Sequence, residues 1–318
     1  MAVYTKLSKK EIELFLQNYS IGTLNYFEEI VEGIENSNFK IVCNNMPYIL
    51  TIFEKRVNEK DLPFFVDLKF YLNDNKFLCP RPVNDIKGNT INEIKSKKAI
   101  IVTFLDGEKI YYPTPDHCEK IGKVTADLHL ISSNFQIKRK NSLGLDEWKK
   151  IFEKCKTKKI EKFINIFEYL ENEMILLETN WPNQLPSGII HADLFKDNVF
   201  FKNNHVSGII DFYFSCFDFF IYDLAIIIND WCFDKKEKKL NKNLFKSFIS
   251  GYLSKRKINN EELNSLNILC RAAAVRILVT RLHDYIFHPN NAIVVKKDPF
   301  EYYNILKWHK ENNLLQDD

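Results

Sequence analysis

Three polar residues in the middle of this chain have the types and the spacing that phosphoryl transfer requires. Asp193 and Asn198 stand five positions apart in His191-Ala192-Asp193-Leu194-Phe195-Lys196-Asp197-Asn198, and Asp211 follows in Ile209-Ile210-Asp211-Phe212-Tyr213. An aspartate can accept or orient the proton of an attacking hydroxyl. An asparagine and a second aspartate offer hard oxygen donors to a Mg²⁺ ion held on a triphosphate. Gly188 to Ile190 reads as a strand entering the loop, Val199 to Phe201 as one leaving it, and Val206 to Ile210 as the strand that delivers Asp211. A polar hairpin turn between buried strands would also use Asp and Asn freely, but the three residues, their order and both strand contexts agree on catalysis. His191 reads as a scaffold that holds the loop by hydrogen bonds rather than as a proton carrier. Asp197 reads as an exposed turn residue.

The elements that must position these groups follow from periodicity. Ser8, with Glu11 three residues on and apolar residues at Ile12, Phe15, Leu16 and Tyr19, predicts a capped amphipathic helix over 8–19. Short strands are expected at 27–34, 39–43 and 48–53, a helix at 61–73 and another strand at 99–104. From about residue 116 the pattern is helical, at 118–131, 145–155 and 160–179. The strand–loop–strand core of 188–213 comes next, then helices near 218–232, 241–254, 261–287 and 299–311. The fold class is therefore α+β with a helical C-terminal part.

At 318 residues, 45% hydrophobic and 27% charged, the composition is that of an ordinary globular protein with room for two lobes. A net charge of +3 argues for neither nucleic acid nor a membrane surface as partner. Seven cysteines are spread singly with no C-x-x-C pair, so reduced thiols are expected rather than a disulfide framework or a zinc site. The first residues turn polar at once. The apolar stretch 209–231 is interrupted by Asp211, Asp218, Asp223 and Asn229, so a cytoplasmic location is expected.

The order H-x-D-x-x-x-x-N and then a later aspartate is the kinase pattern. With it, nearly the whole chain resembles the homoserine kinases built on the aminoglycoside-phosphotransferase, protein-kinase-like fold. The resemblance is carried by MAVYT at 1–5, EGIENSNF at 32–39, YILTIFEKR at 48–56 and DLPFF at 61–65. It continues through HADLFKDNVF at 191–200, IDFYF at 210–214, YDLAI at 222–226 and NDWCF at 229–233. It implies two lobes: a small antiparallel-sheet lobe over 1–105 that covers the nucleotide, and a larger, mainly helical lobe over 106–318 for catalysis and acceptor binding. The implied reaction is transfer of phosphate from ATP, with Mg²⁺, to the side-chain hydroxyl of L-homoserine, a step of threonine biosynthesis.

The resemblance also implies site residues. Asn36 and Ser37 match the phosphate-covering loop, although no G-x-G occurs in the chain. Thr103, Phe104 and Leu105 fit the hinge that meets the adenine edge. The third strand departs from the kinase pattern, with Thr51 where a lysine is usual. Either Lys55 or Arg56 reaches back, or Mg²⁺ and backbone dipoles neutralise the phosphates. A zwitterionic acceptor needs a cation for its carboxylate and an anion for its ammonium. Asp223 is the choice for the ammonium and Arg276 or Arg281 for the carboxylate, because these charges stand in apolar segments. Tyr213 and Trp231 could wall the pocket. An internal Asp–Arg network is the competing explanation for those charges. A choline, aminoglycoside or sugar kinase of the same fold would keep the transfer residues and change only the acceptor site, and an inactive kinase-like binding protein is a further alternative.

Overall fold

The capping box forms as its spacing predicts: the Ser8 hydroxyl accepts from the Glu11 amide while the Glu11 carboxylate accepts from the Ser8 amide, opening helix α1 (Lys9–Leu16). A computed structural model of the chain describes residues 5–31, 36–54, 57–158, 160–287 and 297–314. It divides into two compact units. One holds the described residues up to Glu108 together with Ser207–Tyr213. The other holds Lys109–Val206 and the described residues from Phe214 onward.

In the first unit, strands β1 (Leu24–Ile30), β2 (Ser37–Cys43) and β3 (Met46–Ile52) form an antiparallel meander. After helix α2 (Leu62–Asp74) come β4 (Pro82–Val83), β5 (Asn92–Ile94) and β6 (Lys97–Thr103). The sheet order is β1-β2-β3-β6-β4, with β5 also paired to β6. The period of two along β2 is visible in its burial: Ser37, Phe39, Ile41 and Cys43 point inward and the residues between them do not. Phe39, Ile41, Leu50, Ile52 and Ile101 meet Ile12, Phe15 and Leu16 of α1 in one core. Of the turn expected at 35–38, Ser37 and Asn38 instead belong to β2 and pair with Ile52 and Thr51, while Glu35 lies outside the described residues.

The two-residue strand β7 (Glu108–Lys109) leads into the second unit. There the chain runs through helices α3 (Pro115–Ser132), α4 (Leu145–Lys156) and α5 (Ile164–Thr179), then strands β8 (Ser187–Ile190) and β9 (Val199–Lys202); strand β10 (His205–Ile209) passes from the second unit into the first at Ser207. Asn203 and Asn204, both with left-handed φ, turn β9 into β10 as a two-residue hairpin requires. Strand β11 (Cys216–Phe219) precedes helix α6 (Phe220–Trp231), where the sequence had suggested helix from about 218. Strand β8 pairs with β11 rather than with β9, so the loop 191–198 is not a simple hairpin turn. Strands β12 (Phe233–Asp234) and β13 (Lys239–Leu240) and helices α7 (Lys242–Leu253), α8 (Asn260–Phe287) and α9 (Pro299–Glu311) complete the unit.

Helix α8 is long and apolar enough to cross a membrane by length and composition, yet most of it is buried, packed against α4, α5, α6 and α9. All seven cysteines are free and buried. Helices α3 and α7 touch backbone to backbone at two glycines. A Cβ on Gly122 would lie 2.2 Å from the Phe248 carbonyl oxygen, and one on Gly251 would lie 2.0 Å from that of Glu119. This close approach accompanies a contact of the Tyr252 hydroxyl of α7 with His129 of α3 at 2.8 Å.

Helix α9 carries a fully enclosed imidazole. His309 Nε2 lies 2.7 Å from Asn229 Oδ1, and burial holds its pKa down to about 3. The unfolded side chain titrates near 6.5, so below that pH the unfolded state binds the extra proton. Stability should fall as pH drops from about 6.5 towards 3, at most by about 1.4 kcal/mol per pH unit. His309→Gln keeps a donor for Asn229 and does not titrate. Its melting temperature should fall less than that of the wild type between pH 7 and pH 5, and parallel curves would remove His309 as the cause.

Candidate active site

The loop after β8 is held by backbone groups that find partners within the loop and on α6 and α8. His191 is buried, and its Nδ1 accepts from the Asp193 amide at 3.2 Å. The His191 and Ala192 amides donate to Asp223 at 2.8 and 2.7 Å. Farther along, Trp231 Nε1 donates to the Leu194 carbonyl at 3.1 Å and the Lys196 amide to Asp230 at 2.8 Å. Lys196–Asn198 then closes as a single 3₁₀ turn. Helix α6 thus presents Asp223, Asp230 and Trp231 to one loop, which explains polar groups in a helix whose residues are all buried.

Two residues of the site have backbone that L-residues avoid. Ala192 has φ +64° and Asp211 has φ +65°. For alanine this region costs about 1 kcal/mol or more. The Ala192 peptide is held on both sides: its amide donates to Asp223, and its carbonyl accepts from Arg276 Nη1. A buried anion and a buried cation therefore fix the residue immediately before Asp193.

Asp193 is itself held by both oxygens. Arg276 Nη2 lies 3.2 Å from Oδ1, and Asn198 Nδ2 lies 3.1 Å from Oδ2 and 2.8 Å from the Asp193 carbonyl. With its amide nitrogen spent on Asp193, Asn198 has its Oδ1 as the remaining donor atom, an oxygen of the kind a hard cation takes. Asp211 offers a second hard oxygen donor and stands just beyond β10, in the first unit. Each of the two residues by itself offers an oxygen of the kind Mg²⁺ takes.

Behind Asp223 the chain of contacts continues. His129 of α3 places Nε2 at 3.2 Å from Asp223 and Nδ1 at 2.8 Å from the Tyr252 hydroxyl of α7. Burial alone would raise the Asp223 carboxyl, but hydrogen bonds from His129 and the His191 amide hold it below the usual carboxylate range. Burial keeps His129 low and therefore neutral, and raises Tyr252, which stays protonated. The assignment that satisfies every group is Nε2–H donating to Asp223 and Tyr252 O–H donating to Nδ1.

Most of the residues expected to touch ligands have protein partners in this structure. Asp223 is fully buried, and with its oxygens taken by the loop amides and His129 it is not placed to receive an ammonium. Arg281 pairs with Glu301 at 2.9 Å and donates to the Asp298 carbonyl at 3.1 Å, tying α8 to α9. Arg271 is likewise committed, to Glu173. Trp231 is enclosed and holds the loop rather than walling a pocket. Ser37 is fully buried; its hydroxyl accepts from the Thr5 amide and donates to Glu54, so it does not reach out to a phosphate. Asn36 accepts from the Glu54 amide at 3.4 Å. The Thr103 amide donates to the Arg81 carbonyl at 2.9 Å, while Phe104 lies under the Lys40 ammonium and Leu105 packs where Gly208 leaves room. Tyr213 stands edge-on to Phe53 and Phe65. Lys55 lies outside the described residues.

One charged residue escaped the sequence reading. Lys69 of α2 is buried, 4% exposed, and donates to the Tyr213 hydroxyl at 3.2 Å. The signal was present in the spacing: Leu62, Phe65, Val66, Lys69 and Leu72 share the inward stripe of α2, so a lysine occupies an apolar register.

This fold and loop define a phosphotransferase, and comparison with known proteins agrees: residues 27–252 match the phosphotransferase enzyme family, and the chain belongs to that family. Among curated relatives, the homoserine kinase of Parvibaculum lavamentivorans is 42% identical over 310 residues, covering 98% of this chain and 96% of that protein. The homoserine kinase of Bartonella henselae is 43% identical over 312 residues, with coverage of 98% and 95%. An amicoumacin kinase solved with AMP-PNP, Ca²⁺ and Ami superposes with a TM-score of 0.70 at 14% identity, covering 96% of this chain and 93% of that one. That likeness speaks to the protein-kinase-like fold alone.

Proposed function

We propose that this chain is a homoserine kinase, which transfers phosphate from ATP to the side-chain hydroxyl of L-homoserine in threonine biosynthesis. One observation carries the reading. A chain 42% identical over 98% of its length to a homoserine kinase keeps the two aspartates and the asparagine of phosphoryl transfer, with Asp193 gripped from two sides. Asp193 orients the acceptor hydroxyl and takes its proton as the bond to phosphorus forms. Asn198 Oδ1 and the Asp211 carboxylate would hold Mg²⁺, which would supply neutralisation of charge on the phosphate oxygens. His191 is a positioning residue whose ring fixes the Asp193 amide. The enzyme works on a small molecule and in the cytosol.

The acceptor is tested by ATP consumption with L-homoserine, L-serine, choline and kanamycin. Homoserine should be turned over with the highest kcat/KM. Serine should be poor, because its hydroxyl is one methylene too short when the same headgroup is held. Preference for choline or kanamycin would reassign the acceptor. The metal role is tested separately by Mg²⁺ titration of Asn198→Ala. Loss of one ligand oxygen, and of the amide that braces Asp193, should raise the Mg²⁺ concentration for half-maximal activity about tenfold. An unchanged Mg²⁺ requirement would remove Asn198 from the metal.

A further inference from the structure

The first unit contains a buried cation that the proposed mechanism has not used. Lys69 lies at the middle of α2, on the face that carries Leu62, Phe65 and Leu72 into the core. Its ammonium rests on Tyr213, 3.2 Å from the hydroxyl and 4.4 Å from the ring centroid. Among the described residues no carboxylate lies within ion-pair distance of it. Tyr213 is two residues beyond Asp211, whose left-handed backbone is part of the same short segment. Aromatic contacts with Phe53, at the end of β3, and with Phe65 of α2 fix the Tyr213 ring.

An enclosed ammonium with a ring and a neutral hydroxyl for company is costly. The cost is offset when an anion arrives. In the kinase pattern a strand-β3 lysine meets the α- and β-phosphates and pairs with a glutamate on the following helix. Here the strand position belongs to Thr51, which donates to Asn38 at 2.8 Å and is itself buried. The helix that follows, α2, carries Lys69 on its buried face. We propose that Lys69 of α2 is the nucleotide-phosphate cation of this protein, moved from the strand to the helix and aimed by Tyr213. This rests on the reading of the chain as an ATP-dependent kinase, but on no particular acceptor.

The consequences separate a ligand-facing cation from a structural one. Lys69→Met removes the charge and keeps the stem, so the unliganded protein should melt at the same temperature or higher. The thermal shift produced by ADP with Mg²⁺ should fall to a small fraction of the wild-type shift. In turnover, KM for ATP should rise at least tenfold while KM for the acceptor stays within about threefold. Lys69→Arg, which retains a cation, should recover a measurable part of the ADP shift. A lower melting temperature in Lys69→Met with a full ADP shift would make the residue structural and overturn the proposal. Equal KM for ATP in wild type and Lys69→Met would do the same. Because the ADP shift needs no acceptor, a wrong acceptor assignment leaves this test intact. If the wild type itself shows no ADP shift, both the kinase reading and this proposal fail.

Discussion

Asp193→Asn should leave a folded protein that binds nucleotide and has lost nearly all turnover. The carboxylate is held by Arg276 on one oxygen and Asn198 on the other, so the side chain has one orientation in which to meet an acceptor hydroxyl. An amide in its place must turn an NH₂ towards one of those two donors, and it cannot take a proton at all. Loss of a positioned base costs about 10²–10⁴-fold in rate, roughly 3–5 kcal/mol of transition-state stabilisation. The whole effect should appear in kcat, with KM for ATP and the ADP-induced thermal shift unchanged. A variant that kept more than about a tenth of wild-type kcat would remove Asp193 from the proton's path.

The parts of this site that were legible in the sequence are those set by neighbours in the chain. Asp193 and Asn198 are joined by a 3₁₀ turn, and Asp211 follows a strand whose alternation is plain. The α1 capping box is equally local. Charges in apolar segments could be flagged but not partnered. Asp223 meets amides 31 and 32 residues away, and Arg276 meets Asp193 across 83 residues, separations that no periodicity encodes. Apolar surroundings said only that such charges are paired or functional. Which partner each one found is decided by the way α6 and α8 pack beside the loop. The Ser37 hydroxyl failed for a different reason. A turn serine can face solvent or core, and here β2 begins two residues earlier than its apolar alternation suggested, so the side chain turns inward onto Glu54.

The placement of Asp223 and Arg276 makes the last prediction a contest between two readings of the same charges. As binders of a zwitterionic acceptor, their loss would raise KM for homoserine and spare kcat. The geometry instead makes them positioning residues, one on each side of the Ala192 peptide, whose left-handed backbone needs the grip. Arg276→Lys keeps a charge but loses the fork that reaches both the Ala192 carbonyl and Asp193. It should lower kcat about 10²-fold, roughly 3 kcal/mol, with KM for homoserine within about threefold. Asp223→Asn should act in the same direction and should also lower the melting temperature, since it leaves His129 and two loop amides without their carboxylate. Because both residues act on one peptide, the double variant should lose far less than the product of the single losses. Ala192→Gly supplies the diagnostic rescue. Glycine adopts positive φ without the steric cost of a Cβ, so in the Arg276→Lys background it should restore part of kcat while leaving KM for homoserine where it was. A tenfold rise in KM for homoserine at unchanged kcat, with no rescue by glycine, would return Arg276 to the acceptor's carboxylate.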